Sequence, residues 1–448
     1  MGRVTIVNYR GYRAHLLRVL LVILTFNFAD RGVLGIVLQN IAADLHLSDT
    51  QLGLLTGIAF AFFYSVMGIP IARWADRGNR VAIISITCAL WGVMVALCGL
   101  AGNFLQLLAI RVGVAVGEAG CIPPSHSLIA DNFARDERPR AFSRFMLGGP
   151  LSVVVGYFLA GWLNEFYGWR MTFILVGLPG LGLAALAWLS LREPRREELL
   201  KSVLAPSLSS PAAETPSPLQ PSVREVFQTL RTNSTFVHLT IAFSMMYFFS
   251  FGVWQWVPTF FVRNHGLQTG EIGTWFAAIW GGGGIFGTYL GGELASRYAA
   301  NNERLQLNVM AIVVASFGLI SPIIFIVANY HVAFAVMGLA SVAWSTTYGP
   351  WFATIQSVVS DRMRAMAIAI VFLFANLIGM GIGPLATGVL SDAFKPWAGE
   401  DSLRYALLAL CPGYMWAAFH LWRAARTVTR HVASVQAGLG LDDQALER

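Results

Sequence analysis

Apolar stretches long enough to cross a hydrocarbon core of ~30 Å recur along the chain at approximately 15–40, 50–72, 80–101, 105–131, 141–163 and 170–191. A second series follows at 236–261, 271–297, 304–328, 330–355, 365–393 and 403–427. Two sets of six predict an all-α polytopic membrane protein with twelve transmembrane helices. Between the sets, Arg192-Glu193-Pro194-Arg195-Arg196-Glu197-Glu198 opens a segment that then turns rich in proline and serine, the composition of a linker. The expected divisions are an N-terminal six-helix bundle (1–191), a cytoplasmic linker (192–235), a C-terminal six-helix bundle (236–430) and a cytoplasmic tail (431–448).

Composition supports a lipid setting. Of the 448 residues 56% are hydrophobic and only 12% charged, too few ionic side chains to clothe a soluble globule of this size. The net charge of +7 is spread between apolar runs rather than gathered into a patch, which sets nucleic acid aside. Cys88, Cys98, Cys121 and Cys411 all lie inside apolar runs and read as buried thiols, not a disulfide framework. The first apolar run is too long for a signal-peptide core and ends in no small-residue cleavage site, so it is expected to remain as a helix. Most of the 31 lysines and arginines fall in the N-terminal tail, the linker, the C-terminal tail and the loops on the same side as these. The positive-inside rule then predicts an inner-membrane protein with both termini in the cytoplasm.

An internal repeat strengthens the two-half reading. Glu137-Arg138-Pro139-Arg140-Ala141-Phe142-Ser143 recurs as Asp361-Arg362-Met363-Arg364-Ala365-Met366-Ala367, and Ala75-Asp76-Arg77 as Ala295-Ser296-Arg297, at nearly one offset and in equivalent loops. Parallel six-helix repeats related by a pseudo-two-fold axis along the membrane normal account for both matches.

The motifs in these loops resemble those of the major facilitator superfamily over essentially the full chain. Asp76-Arg77-Gly78-Asn79-Arg80 is similar to the family's signature loop, with Ala72 where the pattern has glycine, and Gly292 to Arg297 is a second copy that loses the acid. Arg111 to Glu118 resembles an R-x-x-x-G-x-G-E stretch with Ala115 for the first glycine, and Gly149-Pro150 resembles a Gly-Pro motif. Within the superfamily, Asn27-Phe28-Ala29-Asp30-Arg31 together with Gly117-Glu118-Ala119 looks most like the Spinster branch. That resemblance implies a lysophospholipid or sphingoid-phosphate cargo moved by proton-coupled exchange, while relatives that carry sugar acids share an Asp-Arg pair in the first helix.

Charges inside a span need a reason, because each costs at least ~2.5–3.5 kcal/mol at mid-bilayer on insertion scales. Asp30 and Arg31 come roughly 22 Å along the first helix at 1.5 Å per residue, past the midplane. Arg111 and Glu118, seven residues apart, share one face of the fourth helix. These depths allow all four to meet in one cavity. The expected role is a switch in which protonating an acid frees an arginine for an anionic head group. Asp30 is the first choice of proton acceptor and Glu118 the second, with Arg31, Arg111 and Glu118 contacting substrate; a permanent ion-pair lock between helices is the alternative.

Aromatic residues in the seventh and tenth helices offer an apolar wall for an amphipathic cargo, and Trp254 and Tyr348 are the candidates there, against ordinary packing or an interfacial belt. Asp76, Arg77, Arg80 and Arg140 are candidates for a cytoplasmic gate, with the Asp76 carboxylate placed by the family resemblance near the start of the eleventh helix. His126 reads as a packed side chain. Gly281 to Gly284 read as points of close helix contact or bending, as does Gly148-Gly149-Pro150.

The chain's two lysines, Lys201 and Lys395, are neither preceded by glycine, so no phosphate loop exists and energy is expected from a gradient. A membrane enzyme and a non-transporting sensor are the rival classes; G-x-S-x-G and H-E-x-x-H are both absent. No metal or cofactor is expected. The expected partners are the amphipathic substrate, protons and membrane lipid, for a protein acting as a monomer.

Overall fold

The computed structural model describes residues 9–134, 137–194, 223–299, 302–360 and 363–437. The middle of the expected linker (195–222), Asp361-Arg362 of the second loop copy and the last residues of the tail lie outside the described residues. What is described consists of helices and short connections.

Nine helical stretches among the described residues are long and apolar enough to cross a membrane. Two of them, Arg140–Ser190 and Met366–Val435, run to 51 and 70 residues, enough for two crossings each at 1.5 Å per residue. In the first of these the chain turns at Gly168, whose φ of 78° lies in the left-handed region open to glycine. A further crossing comes from Thr269–Phe276, a π-helical segment Ala277–Gly282, and Gly283–Tyr298.

Several spans that read as continuous in sequence are broken near their middles, and proline explains the breaks. The fourth span stops at Glu118 and resumes at Ile122, where Pro123 and Pro124 occupy a first turn that needs no backbone N–H partners. The seventh breaks between Trp254 and Val257 ahead of Pro258, and the tenth at Thr347 ahead of Pro350. The glycine run in the eighth span straddles the end of its π segment, with Gly281 and Gly282 inside it and Gly283 and Gly284 opening the α-helix that follows. Beyond it, a Cβ on Gly287 or Gly291 would strike the backbone of Val342 or Thr346, so these glycines set a close helix contact.

The chain forms two compact units. The first comprises Met1–His46, Ala59–Ala212 and Gln268–Ala277; the second comprises Leu47–Ile58, Ala213–Leu267 and Ala278–Arg448. A short piece of each half's second helix is therefore packed with the other half's residues.

In the second unit, helix Asp49–Thr56 is held by a polar cluster. Asp392 accepts the Asp49 and Thr50 amides at 3.2 and 2.7 Å. Arg263 forks onto the Asp49 carboxylate at 2.8 and 2.7 Å, and Ser391 donates to it at 2.6 Å. In the first unit the start of helix Thr269–Phe276 is held similarly: Glu165 accepts the Gly270 amide at 2.8 Å, and Asn164 donates to Thr269 at 3.1 Å. Both arrangements place a carboxylate on the positive end of a helix.

The first unit also contains a fully buried arginine. Arg80 donates to Asp131 at 2.5 Å and to Ser127 at 2.8 Å, and its guanidinium and backbone N–H both engage Glu193. Next to Glu193, the Arg192 amide donates to Tyr12 at 2.9 Å. The start of the segment after the sixth span is thereby fastened to the third and fourth spans. Farther on, the expected linker contains an amphipathic helix, Val223–Thr232, and the last helix, Gly413–Gln436, continues past position 430 without interruption.

Candidate functional site

Asp30, Arg31, Arg111 and Glu118 all belong to the first unit and meet there. They come from the helices Tyr9–Leu45 and Phe104–Glu118. Asp30 and Arg31 are consecutive, so their side chains leave the helix about 100° apart and cannot pair with each other. Each finds its partner on the neighbouring helix. Arg111 Nη1 donates to Asp30 Oδ2 at 3.0 Å. Arg31 donates through Nε and Nη2 to Glu118 Oε2 at 3.1 and 2.8 Å.

The two pairs differ in access. Asp30 and Glu118 are 0% exposed and Arg111 2%, whereas the Arg31 side chain keeps 19% exposure. The carboxyl groups of Asp30 and Glu118 are themselves within interaction range of each other. Each has one oxygen, Oδ1 and Oε1, with no hydrogen-bond donor among the described residues. Arg111 Nε likewise has no acceptor, and Asn27 Oδ1 no donor, among the described residues. An unsatisfied buried polar atom costs ~1–3 kcal/mol, so the cluster carries hydrogen-bonding capacity that its own residues leave unmet.

Aromatic rings complete the first unit's site. The Arg31 guanidinium lies 4.3 Å from the Phe28 ring centroid, 5.1 Å from Phe60 and 5.0 Å from Tyr64, and Arg111 lies 5.3 Å from Phe60. Phe28 is one turn before Arg31, and Phe60 and Tyr64, one turn apart, stack at 5.7 Å. These faces stabilise a partly desolvated cation. Phe60 and Tyr64 lie in the second span, outside the aromatic-rich seventh and tenth spans, and their i,i+4 spacing is the sequence signal for them.

Helix packing fixes Glu118 in place. A Cβ at Gly117 would meet the Trp91 backbone nitrogen at 2.6 Å, so glycine lets helices Arg80–Cys98 and Phe104–Glu118 touch directly before Glu118. The helix then ends, leaving the carboxylate beside the proline break.

The remaining candidates lie elsewhere. Trp254 and Tyr348 belong to the second unit, Trp254 at the end of its helix with its ring 5.4 Å from Phe251 and 6.2 Å from Trp280. Tyr348 accepts a hydrogen bond from Trp344 at 3.2 Å. Asp76 and Arg77 are exposed at the end of helix Ile58–Arg77, and Arg140 is exposed near the start of helix Arg138–Met146. Arg80 differs from these three in being buried, paired with Glu193 and Asp131. His126 packs edge-on to Phe142 and Phe145 at 5.0 and 5.6 Å. No group of three or more metal-ligating side chains occurs among the described residues.

Comparison with known proteins bears on this arrangement. The sequence pattern of the Major Facilitator Superfamily matches residues 20–384. An MFS-type efflux pump of Mycolicibacterium smegmatis is 31% identical, over 88% of this chain and 87% of its own length. Protein spinster homolog 1 of Xenopus tropicalis is 27% identical, over 89% of this chain and 80% of its own. Among solved structures, a bacterial homologue of the human lysosomal transporter Spinster, in an inward-facing and unoccupied conformation, superposes with a TM-score of 0.81 at 30% identity, covering 94% of this chain and 98% of that one. The chain is thus a multi-pass membrane protein belonging to the Major Facilitator Superfamily, and within it to the transporters of Spinster type.

Proposed function

We propose that the protein is a proton-coupled secondary transporter of an amphipathic anionic or zwitterionic lipid, of the lysophospholipid or sphingoid-phosphate class, working by alternating access in the inner membrane with both termini cytoplasmic. The observation that carries this reading is the crossed pairing of Asp30 with Arg111 and Arg31 with Glu118, with one oxygen of each acid left over.

Two carboxylates that face each other accommodate one proton readily, because the neutral acid donates to the anion and like-charge repulsion disappears. A proton taken by this Asp30–Glu118 pair lowers the negative charge opposing the two arginines. Arg31 then changes partner. It is the more accessible arginine, its planar fork suits a phosphate as well as a carboxylate, and the rings of Phe28, Phe60 and Tyr64 keep its surroundings apolar. Release of the proton restores the carboxylate that competes with the cargo. Binding of cargo and proton are coupled by this competition, and reciprocity requires each to favour the other.

In this scheme Trp254 and Tyr348 line the path of the apolar tail, while Asp76, Arg77 and Arg140 act at the cytoplasmic gate. Arg80 belongs to the same gate and acts there by fastening the sixth span's exit through Glu193.

The substrate class is tested by loading proteoliposomes with the purified protein, imposing a pH gradient, and offering a lysophospholipid or a sugar acid. Gradient-dependent movement of the lysophospholipid is expected. Movement of the sugar acid alone would replace the lipid reading with proton symport of an organic anion, and movement of neither with an intact gradient would reject transport of both classes.

A further inference from the structure

Two histidine contacts join the seventh and twelfth spans of the second unit, and they respond differently to a proton. Both lie between helix Ser234–Trp254 and helix Gly413–Gln436. In the first, His238 Nδ1 and His420 Nδ1 are 2.9 Å apart. Trp416, one turn before His420, donates its indole N–H to His420 Nε2 at 3.1 Å. In the second, His431 Nδ1 lies 3.0 Å from the Thr427 carbonyl oxygen and 2.9 Å from the Thr235 hydroxyl.

The first contact fixes the protons of both rings. An indole nitrogen only donates, so His420 Nε2 accepts and carries no proton. The proton of that ring is therefore on Nδ1 and points at His238, whose Nδ1 accepts it. His238 keeps its own proton on Nε2. The result is a chain with one direction, from Trp416 through His420 to His238, in which both rings are neutral. One added proton breaks it. On His420 the proton occupies Nε2 and faces the indole N–H. On His238 it occupies Nδ1 and faces the Nδ1–H of His420, a conflict that His420 relieves only by moving its proton to Nε2 and giving up Trp416. The second contact has no such weakness. A carbonyl oxygen only accepts, so His431 Nδ1 donates to it whether the ring is neutral or charged.

The surroundings favour separation once a ring is charged. Arg423, one turn after His420, acts electrostatically on both rings, and a cation offers an imidazolium no partner. The other charged groups at this end of the neighbouring elements are Arg231 and Arg364, on helices packed against Ser234–Trp254, and Glu303 and Arg304, in the first turn of the helix packed along Gly413–Gln436. Both rings are half-buried, and the exposed Arg423 and Arg426 follow directly on the exposed Trp416, Phe419 and Trp422. That order of aromatic and basic residues is the one found where a span meets the membrane surface, within reach of protons from water.

We propose that the His238–His420 pair is a pH-sensitive latch between the seventh and twelfth spans, closed when both rings are neutral and opened by a single proton. Under the proposed orientation it responds to the cytoplasmic side. The Thr235–Thr427–His431 contact keeps the two helices together on the far side of the latch, so opening frees the stretch around His420 and not the whole span. The proposal rests neither on the cargo nor on the Asp30–Glu118 pair, which belongs to the first unit.

The test uses the full-length protein in lipid nanodiscs, prepared with isotope-labelled histidine and observed by nitrogen NMR from about pH 8 to about pH 5, either side of the ordinary histidine range. His238→Gln and His420→Gln assign the two signals. At the upper pH the His420 proton is expected on Nδ1 and the His238 proton on Nε2, with a coupling across the hydrogen bond between the two Nδ1 atoms; on acidification the coupling should vanish. Hydrogen exchange of the amides around His420, corrected for the intrinsic effect of pH, should rise about fivefold over the same range, the equivalent of one lost hydrogen bond. The double variant His238→Gln/His420→Gln has no titrating group at the contact and should show no such rise. A His420 proton on Nε2 at the upper pH, a coupling that persists at the lower pH, or an equal rise in the double variant would overturn the proposal.

Discussion

Arg111 on the fourth span and Asp30 on the first form an ion pair of 3.0 Å from which water is almost wholly excluded. Such a pair is worth little relative to a well-packed apolar replacement, but losing one member strands the other at a cost of ~3–5 kcal/mol. Arg111→Gln should therefore destabilise the protein by about that amount. The double variant Asp30→Asn/Arg111→Gln should recover a large part of the loss. Melting of the purified single and double variants in detergent checks both, and equal melting temperatures for the two would show that the pair is not a unit.

The second pair sets the pH dependence of cargo binding. At high pH the Glu118 carboxylate engages Arg31 and competes with an anionic head group; on protonation that competition ends. Binding of a lysophosphatidic acid probe to wild type should accordingly weaken as pH rises. Glu118→Gln resembles the protonated acid at every pH, so its binding should be nearly flat with pH and tighter than wild type at the alkaline end. Binding isotherms across a pH series distinguish this from a structural role for Glu118, which would lower affinity at all pH values.

Arg31→Lys retains the charge but loses the planar fork and the stacking on Phe28, Phe60 and Tyr64. A loss of about 1.4 kcal/mol, tenfold in affinity for a phosphate-bearing cargo, is expected. The ratio of affinities for a phosphate-bearing and an uncharged lipid probe reports this, and an unchanged ratio would take the guanidinium out of head-group recognition.

Glu193 and Arg80 make a prediction about stability alone. Glu193→Gln leaves Arg80 with one exposed carboxylate partner in place of a buried, multiply bonded one. The protein should lose about 3 kcal/mol of stability while retaining its pH response once folded. Thermal melting and the pH profile of cargo binding separate the two effects.

The short helix Asp49–Thr56 is capped locally by Ser48, which accepts from the Gln51 amide, while Asp392 accepts its first two amides. Asp392→Ala should cost about 1 kcal/mol and raise hydrogen exchange at the Asp49 and Thr50 amides, which the carboxylate now protects. Exchange unchanged at those amides would show that the Asp392 carboxylate does not protect them.

Charges inside apolar runs were the most legible part of this sequence. Asp30, Arg31, Arg111 and Glu118 stood out because a membrane span tolerates few such residues, and their spacing placed them at similar depths. Their crossed pairing was not legible: periodicity tells which face of a helix a residue occupies, but the azimuth of a neighbouring helix comes from packing, here from glycines such as Gly117 that admit a backbone. The contacts of Asp49, Arg263, Asp392 and Glu193 were not legible for a different reason. They lie at span ends and in a charged run, where a charged side chain is ordinarily solvated, and nothing local distinguishes one that docks against a distant helix. The spans themselves were found from hydropathy, while the breaks after Glu118 and Trp254 required weighing proline against an otherwise unbroken apolar run.

The central claim is that the Asp30–Glu118 pair couples protons to cargo, and its most direct test is cargo flux in proteoliposomes carrying wild type or Asp30→Asn, with and without an imposed pH gradient. The account predicts that wild type accumulates cargo against its concentration gradient when the pH gradient is present, whereas Asp30→Asn, still folded and able to bind cargo, only equilibrates it. Gradient-driven accumulation by Asp30→Asn equal to that of wild type would contradict the claim.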